Sequence, residues 1–385
     1  MNKSIYLVIG LMTLLFFLGC SSESRISFAN NELDINLNTV EIVSNYDGYL
    51  DKIDYIKLED HPDAHISVVD KVIISSEHIL VGSLQQSAVI YIFDRAGNYL
   101  NKIYSSGTGI GKYLELSDVY IDDNNGLVIL GDNGSKKMLL FDLDGNFLAE
   151  KSIGFHFSNF SQIIDPNGVI SYVFYIPQPI SGSNEISNES IVFTDNNFKV
   201  TGSFFQKSET QQNLNYNSRY RLFSSSAGTY FNPPISGEIH EINSINESRL
   251  IYNIENGVEN IETKVKEVLK KGMSVEIASE LNSLLPVFTY VVNESHIACA
   301  TWIKNIPYQL VIDRSSSNIV LLPMIIDAET IQNVPLAPIT TFQKYFVTLK
   351  RPDYFTRLNT INETGIIPKF EGSNPVLVFQ SMKSF

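Results

Sequence analysis

The sequence predicts an all-β fold, a six-bladed β-propeller whose blades are four-stranded antiparallel sheets. The main observation is a repeat: AVIYIFDRAGNYLNKI, which begins at Ala88, superimposes on KMLLFDLDGNFLAEKSI, which begins at Lys137. Phe93 and Phe141 are equivalent in the two copies, and their separation lies in the range of roughly 40–50 residues that is typical of one propeller blade. The composition agrees with this fold, because 44% hydrophobic and 11% aromatic residues are enough to build a large core.

The N-terminal residues 1–19 are predicted to be a signal peptide. A basic start precedes an apolar run from Ile5 to Leu18, which is short for a membrane-spanning helix. The run ends in Phe17-Leu18-Gly19-Cys20, which resembles the lipobox of bacterial lipoproteins, although Leu is usual where Phe17 stands. The motif predicts that Cys20 is lipidated. The alternative is an ordinary cleaved signal with an incidental cysteine.

The segment 20–49 that follows is polar and rich in asparagine, and it is predicted to be a flexible tether. The propeller is predicted to cover residues 50–385. With Cys20 acylated, Cys299 has no partner for an intramolecular disulfide. We therefore expect packing alone to stabilise the domain.

Each predicted blade contains a strand rich in β-branched and aromatic residues that runs into an Asp-Gly or Asp-Asn turn, followed by another strand. The predicted blades are 66–104, 114–153, 160–205, 219–254 and 286–322, and a last blade is built from 337–350 and 375–381. This last blade lacks a fourth strand. Residues 51–59 alternate apolar and polar side chains, so we expect this N-terminal strand to close the last blade and remove its open edge.

A small helical insertion is predicted at residues 258–285, between the fourth and fifth blades. Apolar residues recur there at helical spacing in two runs on either side of Gly272. An amphipathic pair of helices must cover its apolar stripe. We expect the pair either to border the pore mouth as a lid or to pack on the outer wall of the ring without contacting a ligand.

Several motifs carry a family resemblance. They are Gly107-x-Gly109-x-Gly111-Lys112-Tyr113, Asp122-Asp123-x-x-Gly126, Phe141-Asp142-x-Asp144-Gly145, Ile56-Lys57-Leu58-Glu59 and Asn374-Pro375-Val376-Leu377-Val378-Phe379. In these motifs the sequence resembles NHL-type propeller repeats and, more specifically, the six-bladed β-propeller lipoproteins of Bacteroidetes-type bacteria. The resemblance implies the fold of residues 50–385. It implies no activity, because the function of that family is largely unassigned.

No local motif predicts catalysis, a metal ion or a cofactor. The glycines of Gly107-x-Gly109-x-Gly111 lack the spacing of a dinucleotide-binding loop, and no helical pattern follows them. His61 and His65 have i,i+4 spacing, but Pro62 argues against the helix that such a zinc site would use. Cys299 lies between two alanines in a predicted strand, where a cysteine is usually a small buried hydrophobe. We therefore predict no catalytic residue, no metal site and no cofactor.

The topology of a propeller predicts where a ligand would bind. The loops between blades share one face of the ring with the loops that join the second and third strands of each blade, and in this sequence these loops are long. Loops on a rigid scaffold commonly carry binding residues. The candidate ligand-binding residues on this face are His156, Tyr216, Arg219, Lys112, Tyr113 and Arg351. For each of them the alternative is packing against a neighbouring loop.

The net charge narrows the range of partners. A formal charge of −14 repels phosphate backbones and argues against nucleic-acid binding. The sequence indicates a membrane-anchored lipoprotein of the cell envelope, expected at the outer membrane, with its surface or periplasmic side left open. We expect the propeller to be a monomeric ring that serves as a binding or assembly scaffold for a glycan, a peptide or another envelope protein. The alternative is a propeller enzyme, a lyase or hydrolase with catalytic residues scattered over the blades.

Overall fold

The structure is a computed structural model. It describes residues 32–43, 48–123, 125–165, 168–178, 188–212, 221–244, 247–272, 274–304, 306–324, 336–361 and 368–385. The chain divides into two units, Met1–Asn31 and Glu32–Phe385, and the first lies outside the described residues. The second unit contains the predicted propeller.

The second unit consists of six sheets arranged as blades. The chain begins with β1 (Leu33–Asn36) and β2 (Leu50–Lys57). Blade 1 contains β3 (Lys71–Ile74), β4 (His78–Ser83), β5 (Val89–Asp94) and β6 (Tyr99–Ile103). Blade 2 contains β7 (Leu116–Asp122), β8 (Leu127–Asp132), β9 (Lys137–Asp142) and β10 (Phe147–Ser152). Blade 3 contains β11 (Asn159–Ile164), β12 (Ile170–Tyr175), β13 (Glu189–Thr194) and β14 (Val200–Gln206).

The remaining blades follow in the same order along the chain. Blade 4 contains β15 (Leu222–Ser225), β16 (Gly228–Phe231), β17 (Glu238–Ser244) and β18 (Glu247–Glu255). Blade 5 contains β19 (Thr289–Val292), β20 (His296–Ile303), β21 (Ile306–Asp313) and β22 (Ile319–Pro323). Blade 6 contains β23 (Thr340–Phe342), β24 (Tyr345–Lys350), β25 (Val376–Met382) and β2.

The first strand of each blade contacts the first strands of its neighbours, so these six strands lie innermost and surround a central channel. Within every blade consecutive strands pair antiparallel, and in blade 6 the fourth strand is β2, which pairs antiparallel with β25. The fold is therefore the predicted six-bladed propeller of four-stranded blades.

Blade 6 is closed by the N-terminal strand, as predicted. β2 pairs antiparallel with β25, and the register places Tyr55 opposite Val378 and Lys57 opposite Val376. β25 is buried along its whole length. Joining the two ends of the chain in one sheet removes the open edge that blade 6 would otherwise present.

The repeated aspartates explain the turns that the sequence analysis identified. Asp94 accepts hydrogen bonds through Oδ1 from the amides of Ala96 and Asn98, both at 2.9 Å. This is the local side-chain bonding that favours aspartate at turns. Gly97 has a φ of 91°, and a Cβ at this position would overlap the carbonyl oxygen of Lys57 in β2. Glycine is therefore required here by backbone conformation and by the close approach of the neighbouring blade.

The structure corrects the predicted boundary of the flexible tether. β1 pairs in parallel with β18 as a fifth strand of blade 4, and Ile42 forms a parallel bridge with Leu321 on blade 5. Ile35 and Leu37 are only 2% and 1% exposed. We call Leu33–Val43 the strap, because it runs along the outer edges of blades 4 and 5. The part of the predicted tether before Glu32, including Cys20, lies outside the described residues.

The predicted insertion forms two helices, α2 (Ile261–Leu269) and α3 (Val275–Leu284), after a short α1 (Glu209–Gln212). Ser274 caps α3 by accepting a hydrogen bond from the amide of Ile277 at 3.3 Å. Val265, Val268 and Leu281 are buried against Ile235 of blade 4. A further helix, α4 (Pro352–Ile361), joins the second and third strands of blade 6. Among the residues that the structure describes, no helix combines the length and the apolar character needed to cross a membrane.

Blades 5 and 6 meet at a corner that binds the last residues of the chain. The carboxylate of Asp313 accepts hydrogen bonds from Ser384 Oγ at 2.6 Å and from the amide of Phe385 at 3.0 Å. The ring of His296 stacks on Phe385 with centroids 5.7 Å apart, and its Nε2 lies 3.1 Å from the carbonyl oxygen of Lys383. Buried polar groups thus hold the end of β25 in place.

Candidate functional site

The central channel encloses a cavity of about 1000 Å³ lined mainly by innermost strands. Its size is at the upper end of the range of small-molecule sites in proteins. Four aromatic side chains line it, from blades 2, 3, 4 and 6: Tyr120, Phe160, Phe223 and Phe342. The charged lining residues are Asp70, Lys71, Asp118, Asp123 and Glu294.

Side chains bond the innermost strands to one another around the channel. Lys71 of blade 1 forms an ion pair with Asp118 of blade 2 at 2.5 Å, and the same carboxylate accepts the amide of Phe160 in blade 3 at 2.9 Å. Asn159 Nδ2 then donates to the carbonyl oxygen of Leu222 in blade 4. These bonds hold four successive blades in fixed positions. The aromatic side chains of the lining therefore stand on a rigid frame.

Three half-buried side chains occupy equivalent positions in the channel wall. Tyr120, Gln162 and Phe223 each stand two residues before the end of the innermost strand of blades 2, 3 and 4. Gln162 Nε2 donates to Asp122 at 3.1 Å, and its Oε1 lies 3.5 Å from the hydroxyl of Tyr120. Burial raises the pKa of Tyr120 well above its ordinary value, so the hydroxyl stays protonated. An amide and two rings thus share one level of the channel.

The loops that join the first and second strands of the blades form one mouth of the channel. Ser76 and Asp123 meet between blades 1 and 2, where the serine amide donates to the carboxylate at 3.2 Å. Ser226 Oγ donates to Glu294 at 3.0 Å between blades 4 and 5. Hydrogen bonds between neighbouring blades therefore hold the rim of this mouth together.

The opposite mouth opens on the face that carries the longer loops. We call it the loop face, and it comprises the connections between blades and those between the second and third strands. Most of the exposed large apolar side chains in the described chain lie on it: Val68, Tyr104, Ile110, Leu114, Ile306 and Ile339. Ile110 is 82% exposed. Val68, Leu114 and Ile339 each precede an innermost strand by one to three residues, which places them around the mouth.

The six predicted ligand-binding residues have different environments. His156 and Lys112 are exposed on loops of the loop face, as the prediction requires. Arg351 instead donates to the backbone carbonyls of Ser67 and Ser373, so it holds two loops together. The other two residues, Tyr216 and Arg219, lie outside the described residues.

The sixth residue, Tyr113, corrects the prediction. Its side chain is fully buried between blades 1 and 2. The hydroxyl donates to the carbonyl oxygen of Ala88 at 2.6 Å and accepts the amide of Ser105 at 3.0 Å. Both hydrogen-bonding capacities are used within the protein, so Tyr113 is a core residue that anchors the glycine-rich loop and is not a surface contact for a ligand.

The sequence analysis missed the channel residues Tyr120, Gln162 and Phe223. Their strands contain side chains that pack between blades and side chains that face the channel, so their apolar pattern resembles that of any buried strand. The signal that could have found them is the position two residues before the turn in each first strand. That position is visible only after the blade boundaries are known.

The helical insertion does not border the channel. None of its described residues lines that cavity. It borders a second cavity of about 760 Å³, which is also lined by Phe205 and by Pro233 to Glu238 of blade 4. The insertion therefore lies on the loop face away from the channel mouth, and the lid hypothesis fails for the channel.

The described residues provide no group of three or more His, Cys, Asp or Glu side chains placed to hold a metal ion. Cys299 is fully buried in blade 5, and burial raises the pKa of its thiol, so it remains protonated. No histidine lines the described part of the channel.

Comparison with known proteins gives the fold family. A family model described as DUF5128, 6-bladed beta-propeller, matches residues 24–349. A candidate exported protein from Bacteroides fragilis superimposes with a TM-score of 0.69 at 17% identity, covering 92% of this chain and 100% of the other. A member of the DUF4221 family from Bacteroides vulgatus superimposes with a TM-score of 0.50 at 12% identity, covering 92% and 99%. A search of curated protein sequences found no match. The chain belongs to the DUF5128 family of six-bladed β-propellers.

Proposed function

We propose that the protein is a lipid-anchored binding module of the bacterial cell envelope, at the outer membrane. Acyl chains on Cys20 would hold it to the membrane, and the loop face with its channel mouth would engage a glycan, a peptide or another envelope protein. The membrane side on which it acts is left open. The protein would act as a scaffold that presents this face to its partner.

One observation carries the binding role: the loop face combines a sizeable cavity with exposed apolar side chains on a rigid ring. Val68, Leu114 and Ile339, which precede innermost strands at the mouth, are 38%, 54% and 43% exposed. Exposed apolar groups that surround a cavity are typical of interaction sites.

The envelope location is supported by sequence and by similarity. The motif Leu18-Gly19-Cys20 follows a short apolar run, as in lipoprotein signals. The structural neighbour from Bacteroides fragilis is itself a candidate exported protein. The formal charge of −14 would be repelled by anionic lipid, so acyl chains rather than a basic patch would provide the membrane affinity.

Site-specific photo-crosslinking in intact cells tests the binding role. A photoreactive residue at Ile110 or Leu114 should give a discrete crosslinked product on the loop face. Val169 is the matched control, because it is 57% exposed in the turn after the first strand of blade 3, on the opposite face and outside the channel lining. Equal crosslinking from both faces, or none from the loop face, would contradict the proposal.

A further inference from the structure

Resting on the proposed function, we infer that the channel binds the end of a neutral oligosaccharide. The aromatic rings, the hydrogen-bonding groups and the charge of the channel lining indicate this class of ligand.

The aromatic rings of the lining are placed to stack on sugar rings. Tyr120 and Phe223 flank Gln162 at one level, and all three are half-buried, so each keeps part of its surface accessible. On blade 6, Phe342 is held from one side by the guanidinium of Arg95, 4.1 Å from the ring centroid. A pyranose has apolar C–H faces that suit an aromatic plane, and a fixed ring loses little entropy when it stacks.

The polar groups of the lining match the hydroxyl groups of a sugar. Hydroxyl side chains predominate: Ser75, Ser76, Ser117, Ser158, Ser161, Ser224, Ser225, Ser226, Thr229, Thr340 and Thr341. Amide side chains add Gln162, Asn243 and Gln343. Several of these hydroxyls, among them Ser117 and Thr341, already donate to backbone carbonyls of the protein and offer a ligand an acceptor, which a sugar O–H group can use. A lining of this kind can follow a polyhydroxylated ligand without desolvating an unpaired charge.

The charged groups of the lining disfavour an anionic ligand. Asp118 is already bonded to Lys71 at 2.5 Å, and Glu294 accepts from Ser226 at 3.0 Å. The carboxylates outnumber the one lysine, so the channel repels sulfate and uronate groups. A neutral glycan therefore fits better than a charged one. A cationic peptide is the competing ligand class.

Isothermal titration of the full-length protein in detergent tests the inference. The probes are neutral α-glucan, β-glucan, mannan, xylan and chitin oligosaccharides, each beside its sulfated form where one exists. At least one neutral oligosaccharide should bind saturably, and its sulfated form should bind more weakly. Tyr120→Leu and Phe223→Leu should each weaken that binding about fivefold to tenfold, as expected for the loss of one stacking ring.

Two further variants separate the channel from the rest of the ring. Tyr99→Leu makes the same chemical change on the outermost strand of blade 1, outside the channel lining, and it should leave glycan affinity unchanged. Gln162→Met removes an amide from the channel while keeping the length of the side chain, and it should weaken binding even if a ring variant fails to fold.

The inference is overturned if no neutral oligosaccharide binds, or if the channel variants bind as tightly as the wild type. If a cationic peptide from an array binds instead and depends on Tyr120 and Phe223, the ligand class is wrong although the channel is a site. Crosslinking from Ile110 together with a failed glycan titration would leave the proposed function intact and reject this inference alone.

Discussion

The strap lies docked on blades 4 and 5, where the sequence predicted a flexible tether. Replacing Ile35 by alanine tests whether this docking stabilises the domain. Ile35 is 2% exposed and packs in the cluster that includes Ile254 of β18 and Ile239 of β17. The variant removes three carbon atoms from this cluster. At about 0.8 kcal/mol per buried carbon the transfer cost is about 2.4 kcal/mol, and a residual cavity extends the expected range to about 2–5 kcal/mol.

Local opening sets the upper limit of this effect. The strap is a short strand at a sheet edge, so a destabilised strap can detach while the ring stays folded. The decrease in the free energy of unfolding of the whole domain therefore cannot exceed the free energy needed to detach the strap. Hydrogen exchange reports this directly, because the amides of Leu37 and Val43 donate to Glu255 and Leu321 at 2.8 Å and 3.1 Å. Both amides should be protected in the wild type, and Leu37 should lose protection in the variant.

Ile42→Ala provides the matched control, because Ile42 belongs to the same strap but its side chain is 52% exposed. Its substitution should change the free energy of unfolding by at most about 0.5 kcal/mol. Urea unfolding of both variants measures the difference. If the Ile35 and Ile42 variants unfold at the same denaturant concentration as the wild type, and the Leu37 amide exchanges freely, the strap is not docked and the original tether prediction stands.

Three other outcomes are expected. Cys20→Ala should move the protein from the membrane to the soluble fraction with unchanged stability, and a wild-type chain without acyl mass would contradict the anchor. In the corner of blades 5 and 6, burial lowers the pKa of His296 below 6.5, and at Asp313 hydrogen bonds outweigh burial and hold the pKa well below 3.8. The folded state therefore binds fewer protons than the unfolded state, so stability should fall as the pH drops below about 6.5 and further below about 4. Asp313→Asn should reduce the lower step in a pH series of urea unfolding, since other carboxyls with lowered pKa, such as Asp60, also contribute to it, and an unaltered pH profile would reject this assignment. Replacing 258–285 by a short Gly/Ser linker should preserve the circular dichroism of the sheets and any glycan affinity, and a loss of affinity would return the insertion to the binding site.

The blades could be predicted from the sequence because their signals are local. An aspartate such as Asp94, which accepts hydrogen bonds from the amides two and four residues later, favours a turn independently of the distant parts of the chain. The closing strand β2 was predictable for a different reason: blade 6 lacked a strand, and an open edge is unfavourable.

The strap and the core position of Tyr113 could not be predicted in the same way. β1 has four residues and pairs in parallel with a strand more than two hundred residues later, so its signal depends on a distant partner. Leu33, Ile35 and Leu37 do alternate with polar residues, but three apolar positions are too few to identify a strand. Tyr113 follows a glycine-rich loop, and only the tertiary contact with Ala88 decides that its ring is buried.

The strap also limits where the ring can lie if Cys20 is acylated as proposed. A free tether over residues 20–49 could extend by roughly 100 Å, at about 3.5 Å per residue. Because the chain is bound to blade 4 from Leu33 onward, only the segment from Cys20 to Glu32 can separate the ring from the lipid, and its reach is at most about 40 Å. That distance is comparable with the width of a ring of this size, for which a radius of gyration of about 20 Å is expected. If Cys20 is acylated, a partner of the loop face would therefore be met close to the membrane surface.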